Sequence, residues 1–486
     1  MRDGVFRNPA SPYLRLLKLV GCELGDLNHL VVKEGLEGAL QVLFRKGVYL
    51  TVEESKGRRA VVRGSARFHV IPDDMRNPAL RVDLVSTTGG SRGPGSPVPI
   101  ELSTLRDHAM EIFVDLEVKD GFSWVGATWS VPGGGNLKRL IYYSLCGLPI
   151  TGWFSLVGAT APGLHSRYLW SARLLRWSSR LGGVTLPQPI HVGLQDPGPI
   201  LGWISDVLRA GKTPYLHAYV SCVTRICQTA MDSNVSLAGV HFAMGGEPIT
   251  PGRLALIEKA GARAYPHYSS EESGHVGRGC LAPEAADEVH VIQNRYGLIQ
   301  PGDDTVPELP RNALLITAIT PRARVILINF SLGDEATLTN RRCGCPLERI
   351  GWKTHLHTIR SFEKLTAGGM TFYHADLIRV LEEVLPRKFG GGPTDYQLLE
   401  IETANSEPSV RLRVHPRLGP MDPEQVRQTF LDTIGAGSGV ERVMMLVWRD
   451  AGLPIVEREA PRVTGGGKIL HVHLDRPNRL SVDNAD

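Results

Sequence analysis

The sequence predicts an α/β protein in which a large N-terminal domain is followed by a smaller α+β domain. Between about residues 80 and 358, strand-like apolar runs alternate with helical patterns, and glycine-containing turns follow most of the runs. After residue 360 the pattern changes to a few helices combined with short strands. A chain of 486 residues is also too long for one ordinary hydrophobic core, which favours two or three packed units.

We predict domain boundaries near residues 80 and 359. Residues 1–80 mix short helical patterns with a basic, β-branched segment, which suggests an N-terminal capping subdomain. Residues 81–359 form the core domain, and residues 360–486 form the small C-terminal domain. The rhythm of the core domain is typical of parallel βα units, whose ligands collect at the carboxyl ends of the strands. Its strand-like runs are 81–85, 125–129, 240–244, 314–319 and 325–330.

The C-terminal domain is expected to place two or three helices on a small sheet. One helix should begin at Asp422-Pro423, because aspartate is a favourable N-cap and proline fits the first turn. Another is expected at about 375–384, and strands are expected at 396–402, 410–414, 444–448 and 469–474.

The composition excludes several classes of protein. A hydrophobic fraction of 42% and a charged fraction of 21% indicate a folded globular chain. The net charge of +4 and the scattered arginines indicate no nucleic-acid partner. Seven cysteines without a disulfide framework favour a reducing compartment, and the cytoplasm is the expected location. The N-terminus does not resemble a signal peptide, and prolines and glycines interrupt the uncharged segment 140–164, so we expect no membrane span.

A phosphate-binding loop is predicted directly after the run at 81–85. Its small and hydroxyl-bearing residues let backbone N–H groups turn inward around an anion, and an arginine adds positive charge. No Gly-Lys-Ser/Thr follows, so this is not a Walker loop, and the composition alone also fits a plain flexible loop. The loop residues are Thr87, Thr88, Gly89, Gly90, Ser91, Arg92 and Gly93.

Further motifs follow this loop in an order that resembles the adenylate-forming (AMP-binding) enzyme superfamily. The loop itself resembles the Thr-Ser-Gly-Ser-Thr-Gly phosphate loop of that family, and the resemblance covers roughly residues 80–475. It is closest to the phenylacetate:CoA ligase and acyl-protein synthetase branch. The later motifs are Gly245-Gly246-Glu247-Pro248, His267-Tyr268-Ser269-Ser270-Glu271, the segment 330–334 that ends in Asp334, Ile359-Arg360, and the segment 461–468 that ends in Lys468.

The resemblance implies a role for each motif. It implies that Gly245-Gly246-Glu247-Pro248 borders the adenine pocket, that His267 packs on adenine, and that Ser270 lies in the same motif. Glu271 would help to hold Mg²⁺, and Asp334 would bind the ribose hydroxyls. Arg360 would stand at a hinge, and Lys468 would enter the site during the reaction. The implied architecture is a large N-terminal adenylate-forming domain with mixed sheets and flanking helices, plus a small mobile α+β C-terminal domain.

The implied reaction is ATP-dependent activation of a small carboxylic acid as an acyl-adenylate. A carboxylate and ATP repel each other, so attack on the α-phosphate requires neutralised charge and a held geometry, which Mg²⁺ and Lys468 would supply. The sequence departs from the family pattern at several positions, among them His267 in place of the usual aromatic residue. If the motif is read one residue later, Tyr268 and Glu272 become the functional pair.

Three functions fit the resemblance. The first is an acyl-CoA ligase that uses ATP, Mg²⁺ and CoA. The second is an acyl-adenylate synthetase that transfers the acyl group to a protein thiol, a carrier or an amine, and the third is a nucleotide-binding regulatory protein without turnover. An aryl or medium-chain acid would suit the expected acyl pocket, for which the sequence shows no obvious cation to bind a second carboxylate. We also consider a homodimer.

A zinc site is predicted from the spacing of cysteines and histidines. Cys343 and Cys345 form a close pair of thiols, and Cys280 follows the glutamate motif, with His275 five residues before it. Zinc accepts tetrahedral Cys/His sets and would tie distant loops together, which suits a structural role. His290 competes with His275 as the fourth ligand, and free buried cysteines remain the alternative. The other four cysteines are expected in the core: Cys22, Cys146, Cys222 and Cys227.

Overall fold

The chain is built around one long mixed sheet and a separate small sheet near the C-terminus. The computed structural model describes residues 1–80, 84–87, 97–100, 102–132, 134–160, 166–193, 196–246, 249, 251–304, 306, 309–362, 364–367, 370–373, 377, 379–392, 395–402, 408–436, 440–462 and 472–475.

The strands alternate with helices in the first half of the chain and follow one another closely afterwards. They are β1 (Leu50–Thr51), β2 (Val61–Arg63), β3 (Ala66–Phe68), β4 (Leu84–Thr87), β5 (Pro97–Ile100), β6 (Val125–Ser130), β7 (Ile150–Ser155), β8 (Ile190–His191), β9 (Pro214–Tyr219), β10 (His241–Gly245), β11 (Arg263–Ser270), β12 (Gly274–Gly279), β13 (Val289–Val291), β14 (Tyr296–Ile299), β15 (Ala313–Ala318), β16 (Phe330–Asn340), β17 (Thr354–Ser361), β18 (Lys364–Ala367), β19 (Met370–Tyr373), β20 (Tyr396–Glu402), β21 (Pro408–Val414), β22 (Ile455–Glu457) and β23 (Val472–Asp475).

Several of the α-helices pack against the sheets, whereas the helix at Ser166–Leu181 leaves Trp170, Leu174, Trp177 and Leu181 exposed. The α-helices are α1 (Pro12–Leu19), α2 (Leu24–Arg45), α3 (Val52–Ser55), α4 (Leu102–Glu117), α5 (Gly134–Leu145), α6 (Ser166–Leu181), α7 (Gly198–Arg209), α8 (Val220–Asp232), α9 (Pro251–Lys259), α10 (Pro346–Arg349), α11 (Leu385–Phe389), α12 (Pro423–Ile434) and α13 (Val440–Asp450). Short 3₁₀ or π turns lie at Arg2–Phe6, Pro72–Met75, Gly121–Ser123, Val380–Val384 and Pro416–Leu418. No helix among the described residues combines the length and apolarity needed to cross a bilayer.

The long sheet changes from parallel to antiparallel at β11. Its strand order is β14-β15-β16-β17-β13-β12-β11-β10-β9-β6-β7-β8, and β1 pairs in parallel with β16. The strands from β8 to β11 run parallel, whereas β12 to β17 pair antiparallel. The prediction of a mixed α/β domain with a smaller α+β unit is therefore confirmed.

Parallel units do not extend through the whole predicted core domain. β11 ends at Ser270 and β12 begins at Gly274, so the connection is far too short for the crossover helix that a parallel pair requires. The run at 325–330 is also mostly irregular, because β16 begins only at Phe330. Strand direction is invisible to periodicity, since parallel and antiparallel core strands can both be continuously apolar.

Several local predictions are confirmed in the small C-terminal sheet, whose order is β22-β21-β20-β23. Asp422 caps α12 by accepting a hydrogen bond from the backbone N–H of Glu424. The strand expected at 444–448 is wrong, because these residues lie inside α13. Residues 445–448 are all buried, and a short buried run has the same sequence pattern in a helix as in a strand.

Asn329 joins the N-terminal segment to the long sheet. It is 0% exposed, and its amide donates to the carbonyls of Leu40 (2.9 Å) and Val48 (3.1 Å). Its backbone has φ 47°, in the left-handed region that asparagine tolerates better than most residues. One hydrophobic core is shared by residues of 1–80 and the antiparallel strands, so Asn329 lies where the two segments are packed together.

We expect Asn329→Ala to lower the free energy of unfolding by about 2 to 4 kcal/mol, because two buried carbonyls lose a donor and alanine resists positive φ. Asn234 also has positive φ (54°) but is exposed, so Asn234→Ala is the matched control and should cost only about 1 kcal/mol. Urea unfolding of both variants measures the difference. Equal losses would contradict the role given to the Asn329 amide.

Candidate functional site

The carboxyl ends of three parallel strands meet at one edge of the long sheet. β9 ends at Tyr219, β10 at Gly245, and β11 continues to Ser270. A Cβ at Gly245 would lie 2.6 Å from Nε2 of His267, so no larger residue fits there. Gly246 has φ 80°, and a Cβ would lie 3.1 Å from the ring of Tyr219. The two predicted glycines thus allow a tight turn over this edge.

Tyr268 and Asp334 are brought together although they lie 66 residues apart in sequence. The hydroxyl of Tyr268 donates a hydrogen bond of 2.8 Å to Oδ2 of Asp334. Gly333, directly before Asp334, has φ 82°, a conformation that favours glycine. The burial of Tyr268 and the charge of Asp334 raise the pKa of the phenol well above its ordinary value, so Tyr268 stays a neutral donor.

His267 has different neighbours from those that an adenine-stacking role would need. Its Nε2 lies 3.3 Å from Nε2 of His217, and the two ring centroids are 4.9 Å apart. Burial lowers the pKa of both imidazoles well below the ordinary value, so both are neutral and one ring donates to the other. The geometry favours the later reading of the motif, in which Tyr268 replaces His267.

The two adjacent glutamates of the motif differ in their partners. Oε2 of Glu271 lies 2.7 Å from Nζ of Lys138, and Arg324 donates to the Glu271 carbonyl at 3.2 Å. Burial alone would raise the pKa of Glu271, but Lys138 and Arg324 lower it below its ordinary value. Glu272 lies 3.7 Å from Lys56, a looser ion pair. Glu272 is thus less engaged by protein cations than Glu271, which also favours the later reading.

Arg360 lies in β17, one residue before the strand ends at Ser361. Its guanidinium is 3.0 Å from Asp287, whose carboxylate also accepts the backbone N–H groups of Thr358 and Ile359, each at 2.8 Å. Thr358 has φ 56°. β17 runs on to Ser361, so the long sheet continues just beyond the predicted boundary at 359.

Four of the predicted metal-binding side chains form a compact cluster. The thiol sulfurs of Cys280, Cys343 and Cys345 and a ring nitrogen of His290 all lie within 4.8 Å of one another. Nδ1 of His290 donates to the carbonyl of Trp352 at 2.7 Å. Nε2 therefore faces the cysteines, 3.5 Å from Cys343 and 3.2 Å from Cys345. Three thiols and one oriented imidazole fit the tetrahedral donor set of Zn²⁺.

Two neighbouring groups adapt the cluster to a metal. Arg341 lies 3.7 Å from the sulfur of Cys280 and forms an ion pair with Glu288, so a positive charge faces the thiols. Burial opposes ionisation of Cys345, but backbone N–H groups of Glu348 and Leu281 lower the pKa of this thiol below its ordinary value. The lowered pKa favours the thiolate form of Cys345, which is the form that binds metal, whereas burial raises the pKa of Cys280 and Cys343.

His275 does not belong to this cluster, and its prediction as a ligand is corrected in favour of His290. Its Nδ1 lies 3.2 Å from Glu111 and 2.9 Å from Arg278. Arg295 also forms an ion pair with Glu111. Burial opposes ionisation of Glu111, but His108, His275 and Arg295 lower its pKa. His108, Glu111 and His275 form a second cluster of potential metal ligands. Arg278 and Arg295 already supply positive charge there, so this cluster does not fit a metal ion.

Of the predicted phosphate-binding loop, only Thr87 lies among the described residues. Thr87 ends β4, which pairs with β5 as an antiparallel hairpin rather than joining the long sheet. The remaining loop residues (Thr88, Gly89, Gly90, Ser91, Arg92 and Gly93), together with Glu247, Pro248 and Lys468, lie outside the described residues. Their roles stay predictions.

Lys138, Arg139 and Arg324 were missed by the sequence reasoning. The first two lie on α5 and the third lies in the irregular segment before β16, far apart in the chain. The dipeptide Lys-Arg after a run of glycines was the only local signal, and such pairs are common on solvated helices. Only the fold shows that these cations converge near Glu271.

Comparison with solved structures identifies the fold. The chain matches no protein-family model and no curated protein. It aligns with 2-hydroxyisobutyryl-CoA ligase in complex with 2-HIB-AMP and CoA at a TM-score of 0.55 and 15% identity, over 97% of this chain and 87% of that chain. A weaker match, at TM-score 0.44 and 12% identity, is o-succinylbenzoate CoA synthetase from Bacillus subtilis, over 80% of this chain and 68% of that chain. The chain therefore has the fold of an acyl-CoA ligase.

The buried pair of neutral histidines predicts acid sensitivity. Below about pH 6.5 the unfolded chain binds protons that His217 and His267 do not bind in the folded state, so stability is lost as the pH falls. Each such histidine contributes at most about 1.4 kcal/mol per pH unit. We expect His217→Gln to make the pH dependence of urea unfolding shallower by about one proton between pH 6.5 and 5. An unchanged slope would contradict the neutral pair.

Proposed function

We propose that the protein uses ATP to convert a carboxylic acid into an acyl-adenylate. The observation that carries the proposal is the hydrogen bond between Tyr268 and Asp334, because it unites two predicted nucleotide motifs beside the Gly245-Gly246 turn. In this proposal Asp334 accepts the ribose hydroxyls and Tyr268 packs near the adenine. The fold shared with 2-hydroxyisobutyryl-CoA ligase, whose structure holds an acyl-AMP, supports it.

The reaction joins two anions, so the chain must supply positive charge. An oxygen of the substrate carboxylate forms a bond to the α-phosphorus while the bond to pyrophosphate breaks and pyrophosphate leaves. Mg²⁺ enters with ATP as part of the substrate, and Glu272, the glutamate less engaged by protein cations, would face it. Lys468 would place an ammonium group on the developing phosphate charge, since lysine carries a compact charge on a long flexible stem. Arg360 would serve the hinge that brings Lys468 to the site.

We propose CoA as the acceptor of the acyl group. The support is the same solved structure, which contains CoA beside 2-HIB-AMP. Acyl-adenylate formation and thioester formation are separable: hydroxylamine traps the adenylate as a hydroxamate without any thiol. A panel of acids assayed this way reports the acid first, and adding CoA then reports whether a thioester forms. A panel in which no acid supports ATP-dependent hydroxamate formation would contradict the proposed function.

We also propose that Cys280, His290, Cys343 and Cys345 bind one structural Zn²⁺. The cysteines follow β12 and β16, and His290 lies in β13, so the ion would fix the ends of three strands. Cys280 and His275 lie toward opposite ends of β12. The Cys/His cluster therefore lies at the end of β12 that is farther along the chain from Glu271. This position supports a structural role for the ion rather than a catalytic one.

Two substitutions should affect adenylation in different ways. We expect Lys468→Ala to lower the rate of acid-dependent pyrophosphate release about 100- to 1000-fold while ATP binding persists, because the charge acts mainly on the transition state. Asp334→Asn should instead raise the KM for ATP about 10- to 100-fold through weaker hydrogen bonds to the ribose. The exposed Lys46→Ala is a control and should match the wild type. Wild-type turnover in Lys468→Ala would remove the role given to this lysine.

The zinc proposal predicts a specific pattern of metal loss. We expect purified wild-type protein to contain about one zinc per chain, and His290→Gln or Cys345→Ser to lose it together with thermal stability. His275→Gln is the matched control and should keep the metal, because His275 lies in a different cluster. Metal analysis of the folded proteins measures this. Zinc retained in His290→Gln but lost in His275→Gln would reverse the assignment.

A further inference from the structure

A cationic cavity lies beside Glu271, next to the proposed nucleotide site. Its volume is about 220 Å³, and it opens between α5 and the end of β11. The lining residues that matter here are Lys138, Arg139, Tyr142, Ser269, Glu271 and Arg324. None of Gly245, Gly246, Tyr268 and Asp334 lines it. The cavity is therefore adjacent to the proposed adenine and ribose contacts but does not coincide with them.

The charges of the cavity do not balance. Glu271 is the one carboxylate among the described lining residues, and it pairs with Lys138 at 2.7 Å. Arg139 hydrogen-bonds the hydroxyl of Tyr143, and Arg324 donates to the Glu271 carbonyl. Within the described chain, no carboxylate forms an ion pair with either arginine. Among the described lining residues, three cations thus face one anion, so two positive charges lack a carboxylate partner there.

The remaining titratable groups of the cavity do not supply the missing negative charge. Burial lowers the pKa of His108 and His275, so both are neutral near pH 7. Burial raises the pKa of Tyr142 to about 12, so this phenol stays protonated. Tyr142 and the hydroxyls of Ser269 and Ser270 are neutral hydrogen-bonding groups. The lining is therefore rich in donors and positive in charge.

Burial makes Arg324 costly unless an anion joins it, because the described chain gives it the Glu271 carbonyl but no carboxylate at ion-pair distance. Arg324 is only 7% exposed, and a guanidinium does not lose its proton in proteins. A buried charge is normally paired or strongly hydrogen-bonded, because transfer out of water is expensive. Two guanidinium groups also suit a carboxylate or phosphate, which they bind through paired N–H donors. The cavity is large enough for such a group and part of its carbon chain.

We propose that this cavity binds a second anionic group on the carboxylic acid, so that the preferred substrates are dicarboxylic acids or acids that carry a comparable anion. This inference rests on the proposed function, because it concerns the end of the substrate acid that lies opposite the carboxylate to be adenylated. One carboxylate of the substrate reacts with ATP, and the other is held by Arg139 and Arg324. Lys138 is kept in place by Glu271 and adds to the positive potential.

The substrate preference can be measured with acids that differ in one charge. Matched pairs are adipate against its monomethyl ester, and 4-carboxyphenylacetate against phenylacetate, in ATP–pyrophosphate exchange. We expect kcat/KM for the dianionic member of at least one pair to exceed that of its partner about 10- to 100-fold, the effect of a charge-assisted hydrogen bond. Exchange with equal or better efficiency for the monoanionic members would overturn this inference but leave the proposed function intact. No exchange with any acid would instead count against the proposed function.

Substitutions separate the substrate anion from the phosphates of ATP. Arg139→Gln and Arg324→Gln should raise the KM for the dianionic acid at least 10-fold and change the KM for ATP and for the monoanionic acid less than twofold. Because Arg324 is buried and its variant can fail to fold, the half-buried Arg139 provides the second test. Arg322, which is 55% exposed and pairs with Asp107, gives the control Arg322→Gln. A raised KM for ATP with an unchanged KM for the acid would assign the cations to the nucleotide and overturn the proposal.

Discussion

The site depends on the contact between Tyr268 and Asp334, which joins the two halves of the long sheet. Tyr268 lies on β11, the last parallel strand, and Asp334 lies on β16 in the antiparallel part. The hydrogen bond between them spans the place where the strand direction changes. Ligands of open α/β sheets collect at such places, beyond the carboxyl ends of parallel strands. The cationic cavity is lined by Ser269, Ser270 and Glu271, which directly follow Tyr268 in the chain.

Buried polar groups hold this edge in place. The ion pairs of Glu111 with Arg295 and of Glu271 with Lys138 connect helices α4 and α5 to the strands behind the site. The Cys280, His290, Cys343 and Cys345 cluster lies at the ends of β12 and β16 and on β13, where the proposed Zn²⁺ would join these strands. Each group is costly to bury alone and stable only when its partners are present. Such networks fix the relative positions of segments that are distant in sequence. A site that works by holding its reactants in one geometry needs such rigid support.

Gly245, Gly246 and Asp334 were predicted from motifs that resemble those of a known family, and their roles stay predictions. The structure adds the tight turn at Gly246 and the hydrogen bond between Asp334 and Tyr268. The choice between His275 and His290 could not be made, since it depends on a β12–β13 pairing that the sequence does not encode locally. For the same reason Arg139 and Arg324, 185 positions apart by residue number, gave no common signal. Strand direction after β11 was missed because apolar runs carry no direction.

In the proposed function, Asp334, Tyr268 and the Gly245-Gly246 turn surround one nucleotide. A crystal structure of the protein with a non-hydrolysable acyl-adenylate analogue, an acyl-sulfamoyl adenosine, would show whether they do. We expect the ribose hydroxyls within hydrogen-bonding distance of the Asp334 carboxylate, the adenine beside Tyr268 and Gly246, and the acyl chain directed toward Arg139. An analogue bound elsewhere, with Asp334 contacting only Tyr268, would contradict it.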